Sequence, residues 1–307
     1  MRPRRGALLV ALTILTVAGL AAQDTPLGDT RPFRSGIEIT SITATVAVAA
    51  RSIRPGELTV FTMTTTEPVD RMRLRAFDRE IPAFKEGALT WRALVGVDLA
   101  AAPQTYHVTI EATSGEQSIH TTYDLRVQPR HFPTRTLTVD EAFVNPPARL
   151  RDRIVKEAHE LEALWARSAS GRLWTGPFAL PVPGRAVSSF GTRSIFNGTP
   201  RSPHGGADFL SPAGTPIEAP NAGHVVLARN LYFLGNTVVI DHGLGLFSML
   251  AHLSALEVHE GDEAAPGRIV GRVGATGRVT GPHLHWAVRA GGARIDPLSL
   301  LALLGRP

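Results

Sequence analysis

At 307 residues the chain is long enough for two domains with separate buried cores. It contains no cysteine, which excludes a disulfide scaffold, a thiolate metal site and a lipid-modified cysteine. The formal charge of +5 falls to +2 once Arg2, Arg4 and Arg5 are set aside, and no basic run stands out, which argues against a nucleic-acid partner.

Those three arginines precede an apolar run over residues 7–20, followed by the small residues Ala21 and Ala22. A charged start, a short apolar stretch and a small-residue site predict a secretory signal peptide over residues 1–22, because a membrane-spanning helix needs about 20 apolar residues. An uncleaved anchor is the alternative. The expected location is therefore outside the cytoplasm, periplasmic or extracellular and associated with the cell wall.

Residues 23–130 read as β. "YHVTIEAT" places Tyr106, Val108 and Ile110 on one face, and "IHTTYDLRV" aligns Ile119, Thr121, Tyr123, Leu125 and Val127 after the Ser114-Gly115 turn. With the strand-like pieces "ITSITATVAVAA" and "ELTVFTMTT", this predicts a small immunoglobulin-like sandwich. Residues 131–176 are expected to be a linker holding one amphipathic helix. Leu150, Ile154, Leu161, Leu164 and Trp165 recur there at helical spacing behind Pro146-Pro147, with His159 on the polar side. Residues 177–307 return to β, cut by glycine turns: "HVVLARN", "NTVVIDHG", "LFSMLAHLS", "RIVGRVG" and "HLHWAV". "IDPLSLLALL" closes the chain as a short helix with Pro297 in its first turn. The predicted fold class is mainly β: a sandwich, a connector helix and an antiparallel sheet domain.

Two short motifs in the last segment carry chemistry. In "TGPHLHW", strand alternation puts His283 and His285 on one face and Leu284 on the other. Two imidazoles on one face can share a metal, or one can bind it while the other moves protons. In "RSPHGGADF", His204 and Asp208 are four apart, and Gly205-Gly206 lets the backbone bend so that both converge. With His285 this makes two nitrogens and one oxygen, the size of a catalytic zinc set, which leaves a fourth position open. A thiolate-free mixture of imidazole and carboxylate favours zinc, with manganese or iron as lesser options. His283, and His252 of "SMLAHLS", suit proton transfer or oxyanion stabilisation beside such a set.

The stretch of residues 190–301 resembles the lysostaphin-type (LytM-domain) zinc metallopeptidases that cut peptidoglycan cross-bridges. The likeness runs in order through "SPHGGADF", "AGTPIEAPNAGHVV", "NTVVIDHGLGLFSMLAHLS", "GRVGATGRVTGPHLHW" and "IDPLSLL". It implies one zinc ion held by His204, Asp208 and His285, with His252 and His283 as catalytic residues. Leu250 departs from the family at a position where many members carry tyrosine, which puts the cleft wall and substrate preference in question. The implied activity is hydrolysis of peptide bonds in peptidoglycan stem peptides or cross-links. Two alternatives are a non-catalytic activator that binds the wall, and a metallopeptidase acting on glycine-rich proteins. Retention of all five site residues weighs against the activator. His107, His120, His131, His224, His242 and His259 are expected to be surface or structural, and Arg193 a surface arginine.

Overall fold

A computed structural model describes residues 42–138, 141–187 and 190–305. The expected signal peptide, residues 1–22, lies outside them. Among the described residues no helix is long and apolar enough to cross a membrane.

The first part comprises β1 (Ala44–Ala50), β2 (Leu58–Thr65), β3 (Arg71–Ala76), β4 (Arg79–Lys85), β5 (Thr90–Gly96), β6 (Thr105–Ser114) and β7 (Gln117–Arg126). They are hydrogen-bonded in the order β1-β2-β5-β4-β3-β6-β7, with every pairing antiparallel. Because β4 pairs β5 on one side and β3 on the other, the path folds over, and both halves close on one core. Phe61, Met63, Ala93 and Val95 meet Leu74, Val108, Ile110 and Leu125 there. β3 shows the driving pattern: Met72, Leu74 and Ala76 point inward while Arg71, Arg73 and Arg75 face water. This is the immunoglobulin-like sandwich that strand alternation predicts. The three strands β3 to β5 had no motif of their own in the sequence.

Next come β8 (Thr134–Leu137), α1 (Glu141–Val144) and α2 (Arg151–Trp165). The expected connector helix is α2, with His159 exposed. It does more than connect. The remaining strands are β9 (Ala186–Val187), β10 (Arg193–Phe196), β11 (Thr199–Pro200), β12 (Gly206–Phe209), β13 (Pro216–Glu218), β14 (Gly223–Leu231) and β15 (Gly235–Asp241). They continue with β16 (Leu246–Leu256), β17 (Glu263–Ala264), β18 (Ile269–Val273), β19 (Leu284–Ala290) and β20 (Ala293–Ile295), and α3 (Pro297–Leu304) ends the chain. The main sheet runs β17-β14-β15-β16-β19-β12-β9, with β18 also beside β16, β13 beside β18 and β20 beside β19. β8 pairs in parallel with β10, so the segment after the sandwich is already tied to the second part.

α2 lies against this sheet because its apolar stripe has a partner there. Leu161, Leu164 and Trp165 pack on Leu227, Leu231, Val239 and Phe247, with the Trp165 ring edge-on to Phe247 at 5.3 Å. Polar contacts fix its register: Glu157 accepts from the Tyr232 amide at 2.8 Å, and Arg153 donates to Asn230 at 3.0 Å. α3 starts where the sequence indicates. Asp296 caps it by accepting from the Leu298 amide at 3.0 Å, and Pro297 occupies the first turn.

The sandwich and the second sheet share buried surface. Leu58, Val60 and Leu94 belong to the same core cluster as Leu250, Trp286 and Ile295. Gly96 permits this approach, since a Cβ there would lie 2.8 Å from the Ala293 Cβ. Asp98 adds a forked ion pair, with Arg294 Nη2 at 2.7 Å and the Arg294 amide at 2.8 Å. Burial raises the Asp98 carboxyl, but hydrogen bonds from Arg294 and Ala100 outweigh it and hold the group at about 2. A carboxyl depressed in the folded state stabilises the protein above its unfolded value near 4 and loses that contribution as pH falls towards about 2. Asp98→Asn should cost about 1–2 kcal/mol at neutral pH, discounted for the partly exposed pair. Urea midpoints measured down to about pH 2 should converge for the two proteins; a gap independent of pH would show that charge is not the cause.

Candidate metal centre

The pairing of β12 with β19 builds the centre. Asp208 stands directly opposite His285 in the ladder, and one-residue alternation buries Leu284 in the core while His283 and His285 face the other way. His204 lies just before β12, where backbone bonds to Thr192 and Gly191 hold its loop at 2.9 and 2.7 Å. Of the two glycines between His204 and Asp208, only Gly206 is sterically required. A Cβ on it would sit 2.5 Å from the Trp286 carbonyl oxygen and 2.7 Å from the His285 ring, whereas one on Gly205 meets open space.

Three ligand atoms converge as a result. Nε2 of His204 lies 2.8 Å from Nδ1 of His285, and Oδ1 of Asp208 is 3.0 Å from each. Burial alone would raise the Asp208 carboxyl, but the hydrogen bonds and charges of His204 and His285 hold it well below the usual carboxylate range. Burial pulls His285 the other way, below the ordinary imidazole value. An anionic oxygen and two imidazole nitrogens this close repel one another unless a proton or cation sits among them. The donor set therefore fits a divalent metal of the zinc type.

His252 and His283 flank the set. His252 sits at a bulge in β16, between the stretch paired with β19 and the stretch paired with β18, and its φ of 68° is left-handed. Such a conformation in a non-glycine residue is strained, and here it turns the imidazole towards the centre. The His252 and His283 rings are 5.0 Å apart, and His252 is 5.8 Å from His285. Both are oriented by backbone carbonyls: Nδ1 of His252 donates to Thr276 at 3.0 Å, and Nδ1 of His283 donates to Gly281 at 2.8 Å. That leaves each Nε2 with its lone pair for chemistry. Burial, reinforced by His285 and His283, takes His252 down to about 3, so it is neutral at neutral pH.

The centre opens into a cleft of about 820 Å³, walled in part by Leu161 and Trp165 of α2 and Leu137 of β8. Leu250 is a correction to the sequence reading. It is fully buried in the core, so its departure from tyrosine does not reach the cleft wall. Arg193 is exposed and lies outside the cleft lining. His242 is fully buried and structural, bonded to the Ala222 carbonyl at 2.7 Å and to Ser248 at 2.9 Å. Two arginines that the motifs did not single out, Arg201 and Arg278, line the cleft.

Fold and site together define a mainly β protein that presents a His/Asp/His cluster with the donor set of a metal site in an open cleft. Residues 202–297 match peptidase family M23. A crystal structure from Pseudomonas aeruginosa, described as peptidase M23, superposes with a TM-score of 0.63 at 31% identity, covering 81% of this chain and 95% of that one. The chain belongs to peptidase family M23. The peptidoglycan DD-endopeptidase ShyA of Vibrio cholerae is 40% identical over 115 residues, 37% of this chain and 27% of that protein. The DD-carboxypeptidase/endopeptidase Mpg of Neisseria meningitidis is 40% identical over 97 residues, 32% of this chain and 22% of Mpg. The chain thus spans about a quarter of the length of these curated relatives.

Proposed function

We propose that the protein is a zinc-dependent endopeptidase that hydrolyses peptide bonds in peptidoglycan stem peptides or cross-links. The observation that carries this is the convergence of His204, Asp208 and His285 to within 3.0 Å of one another, beside two further oriented histidines. The peptidoglycan substrate named for ShyA supports the choice of polymer. His204, Asp208 and His285 would hold one zinc ion. Bound there, zinc supplies Lewis acidity, polarising a carbonyl and making water more acidic.

The chain's own residues do the rest. His252 and His283, each with Nδ1 tied to a carbonyl, present Nε2 to accept a proton and then deliver it to the leaving amine. Once protonated, either Nε2–H can donate to the developing oxyanion. α2 and β8 help wall the cleft of about 820 Å³ in which an extended peptide would lie. We place catalysis in residues 177–307, with the sandwich of residues 23–130 and the helix-bearing segment 131–176 positioning it. Residues 1–22 would direct export to the periplasm or cell surface.

The test is metal analysis combined with digestion of purified wall sacculi. The purified chain should carry close to one zinc per molecule. A chelator should abolish release of wall fragments, and added zinc should restore it. Full activity in a verified metal-free sample sinks the mechanism, and cleavage of glycine-rich proteins with sacculi left intact sinks the substrate.

A further inference from the structure

The cleft is lopsided in charge. Arg135, Arg201, Arg278, Arg289 and Arg294 line it, against only Glu162 and Asp208. Asp208 belongs to the metal cluster, Arg294 is held by Asp98 at 2.7 Å, and Arg289 lies 3.9 Å from Glu162. Among the described residues, no carboxylate pairs with Arg201 or Arg278. Arg201 donates through Nη2 to the Val144 carbonyl at 2.8 Å, and its Nε is buried with no hydrogen-bond partner. The Arg278 guanidinium lies over the Phe233 ring at 4.4 Å and the Phe196 ring at 5.3 Å.

These details describe a preorganised pair. Contact with two rings restricts where the Arg278 guanidinium can sit, and cation–π contact leaves its N–H donors for a ligand. Both arginines line the same cleft, and burial with the neighbouring charge of Arg201 pulls Arg278 below its ordinary value. Both residues also ride on the loops that carry the site. Arg201 is three residues before His204, and Arg278 is two residues after Thr276, whose carbonyl orients His252.

We infer that Arg201 and Arg278 form a carboxylate subsite beside the metal centre, which grips a free α-carboxylate on the substrate residue next to the scissile bond. This rests on the peptidase reading and sharpens it. Two guanidinium forks match one carboxylate bidentately. A cross-link made through one amine of a diamino acid keeps a carboxylate close to the cut amide, whereas a glycine bridge carries none. The arginine pair thus selects the first kind of link over the second.

The test uses the zinc-loaded full chain and two non-hydrolysable peptides with a reduced amide in place of the scissile bond. They differ only in whether the α-carboxyl of the amine-donating residue is free or amidated. By calorimetry the free-acid peptide should bind about tenfold tighter or better, the scale of hydrogen bonds to a charged group. Arg278→Gln and Arg201→Gln should each bind the two peptides nearly alike. Arg278→Lys, which keeps charge but loses the fork and the stacking, should retain part of the preference. Equal binding by the unaltered protein overturns the subsite, as does full preference in both glutamine variants. A preference that persists while the hydrolysable peptides go uncut would instead refute the peptidase reading and leave the subsite standing.

Discussion

Replacing His285 with alanine should empty the centre of zinc and take turnover down with it, whereas His283→Ala should keep the zinc and still lose turnover. The two side chains share a strand face, so geometry must separate them. His285 Nδ1 lies 2.8 Å from His204 Nε2 and 3.0 Å from Asp208 Oδ1, inside the cluster of ligand atoms. His283 Nε2 is 3.9 Å from the same carboxylate oxygen, outside the cluster but near enough to act on a bound peptide. Removing His285 leaves two ligands for the metal. Removing His283 leaves all three and deletes only a proton carrier or oxyanion donor, which should cost roughly 10²-fold or more in rate. His252→Ala should match His283→Ala. Zinc content by mass spectrometry and the rate of fragment release from sacculi, measured on all three variants, divide the roles. Loss of zinc in His283→Ala with retention in His285→Ala reverses the assignment.

The local part of this site was legible in the sequence because covalent spacing encodes it. Strand alternation alone puts His283 and His285 on one side of buried Leu284, and a four-residue interval brings His204 and Asp208 together. Pro297 marked the first turn of α3 for the same reason, since a proline's fit to a helix start is set by its own ring. What depends on tertiary packing was not legible. Leu250 looked like a cleft residue by position, but the register of β16 against β19 turns it into the core opposite Trp286. Arg201 and Arg278 are single arginines 77 positions apart in loops, and only the closed sheet brings them into one cleft. The stripe on α2 announced a helix with a buried side. It did not say that the partner would be Phe247 and its neighbours, or that the helix would wall the site.

Glu57→Ala should destabilise the protein by about 3–5 kcal/mol, the range for breaking a buried ion pair from one side. Glu57 lies between β1 and β2 in the sandwich, yet is only 2% exposed because the second part of the chain covers it. Its carboxylate accepts from Arg51 at 2.7 Å, from Arg130 at 3.1 Å and from Ser299 Oγ at 2.8 Å. Ser299 Oγ in turn accepts from the Leu58 amide at 2.9 Å, so α3 is bonded to β2 through the same group. Asp296, 1% exposed, takes a second hydrogen bond from Arg51 at 2.8 Å while capping α3. Truncating Glu57 would leave two guanidiniums sharing one carboxylate and strand the Ser299 hydroxyl. Glu57→Gln keeps the shape and removes only the charge, so it should fall between, at about 1–2 kcal/mol. Arg51→Ala combined with Glu57→Ala should cost less than the sum of the single changes, because each single change already breaks their shared bond. Urea denaturation of the four proteins measures this directly. A loss under about 1 kcal/mol for Glu57→Ala, with strictly additive double-variant behaviour, would mean that apolar packing of Leu58, Val60 and Leu94 joins the two parts and the ionic clamp is incidental.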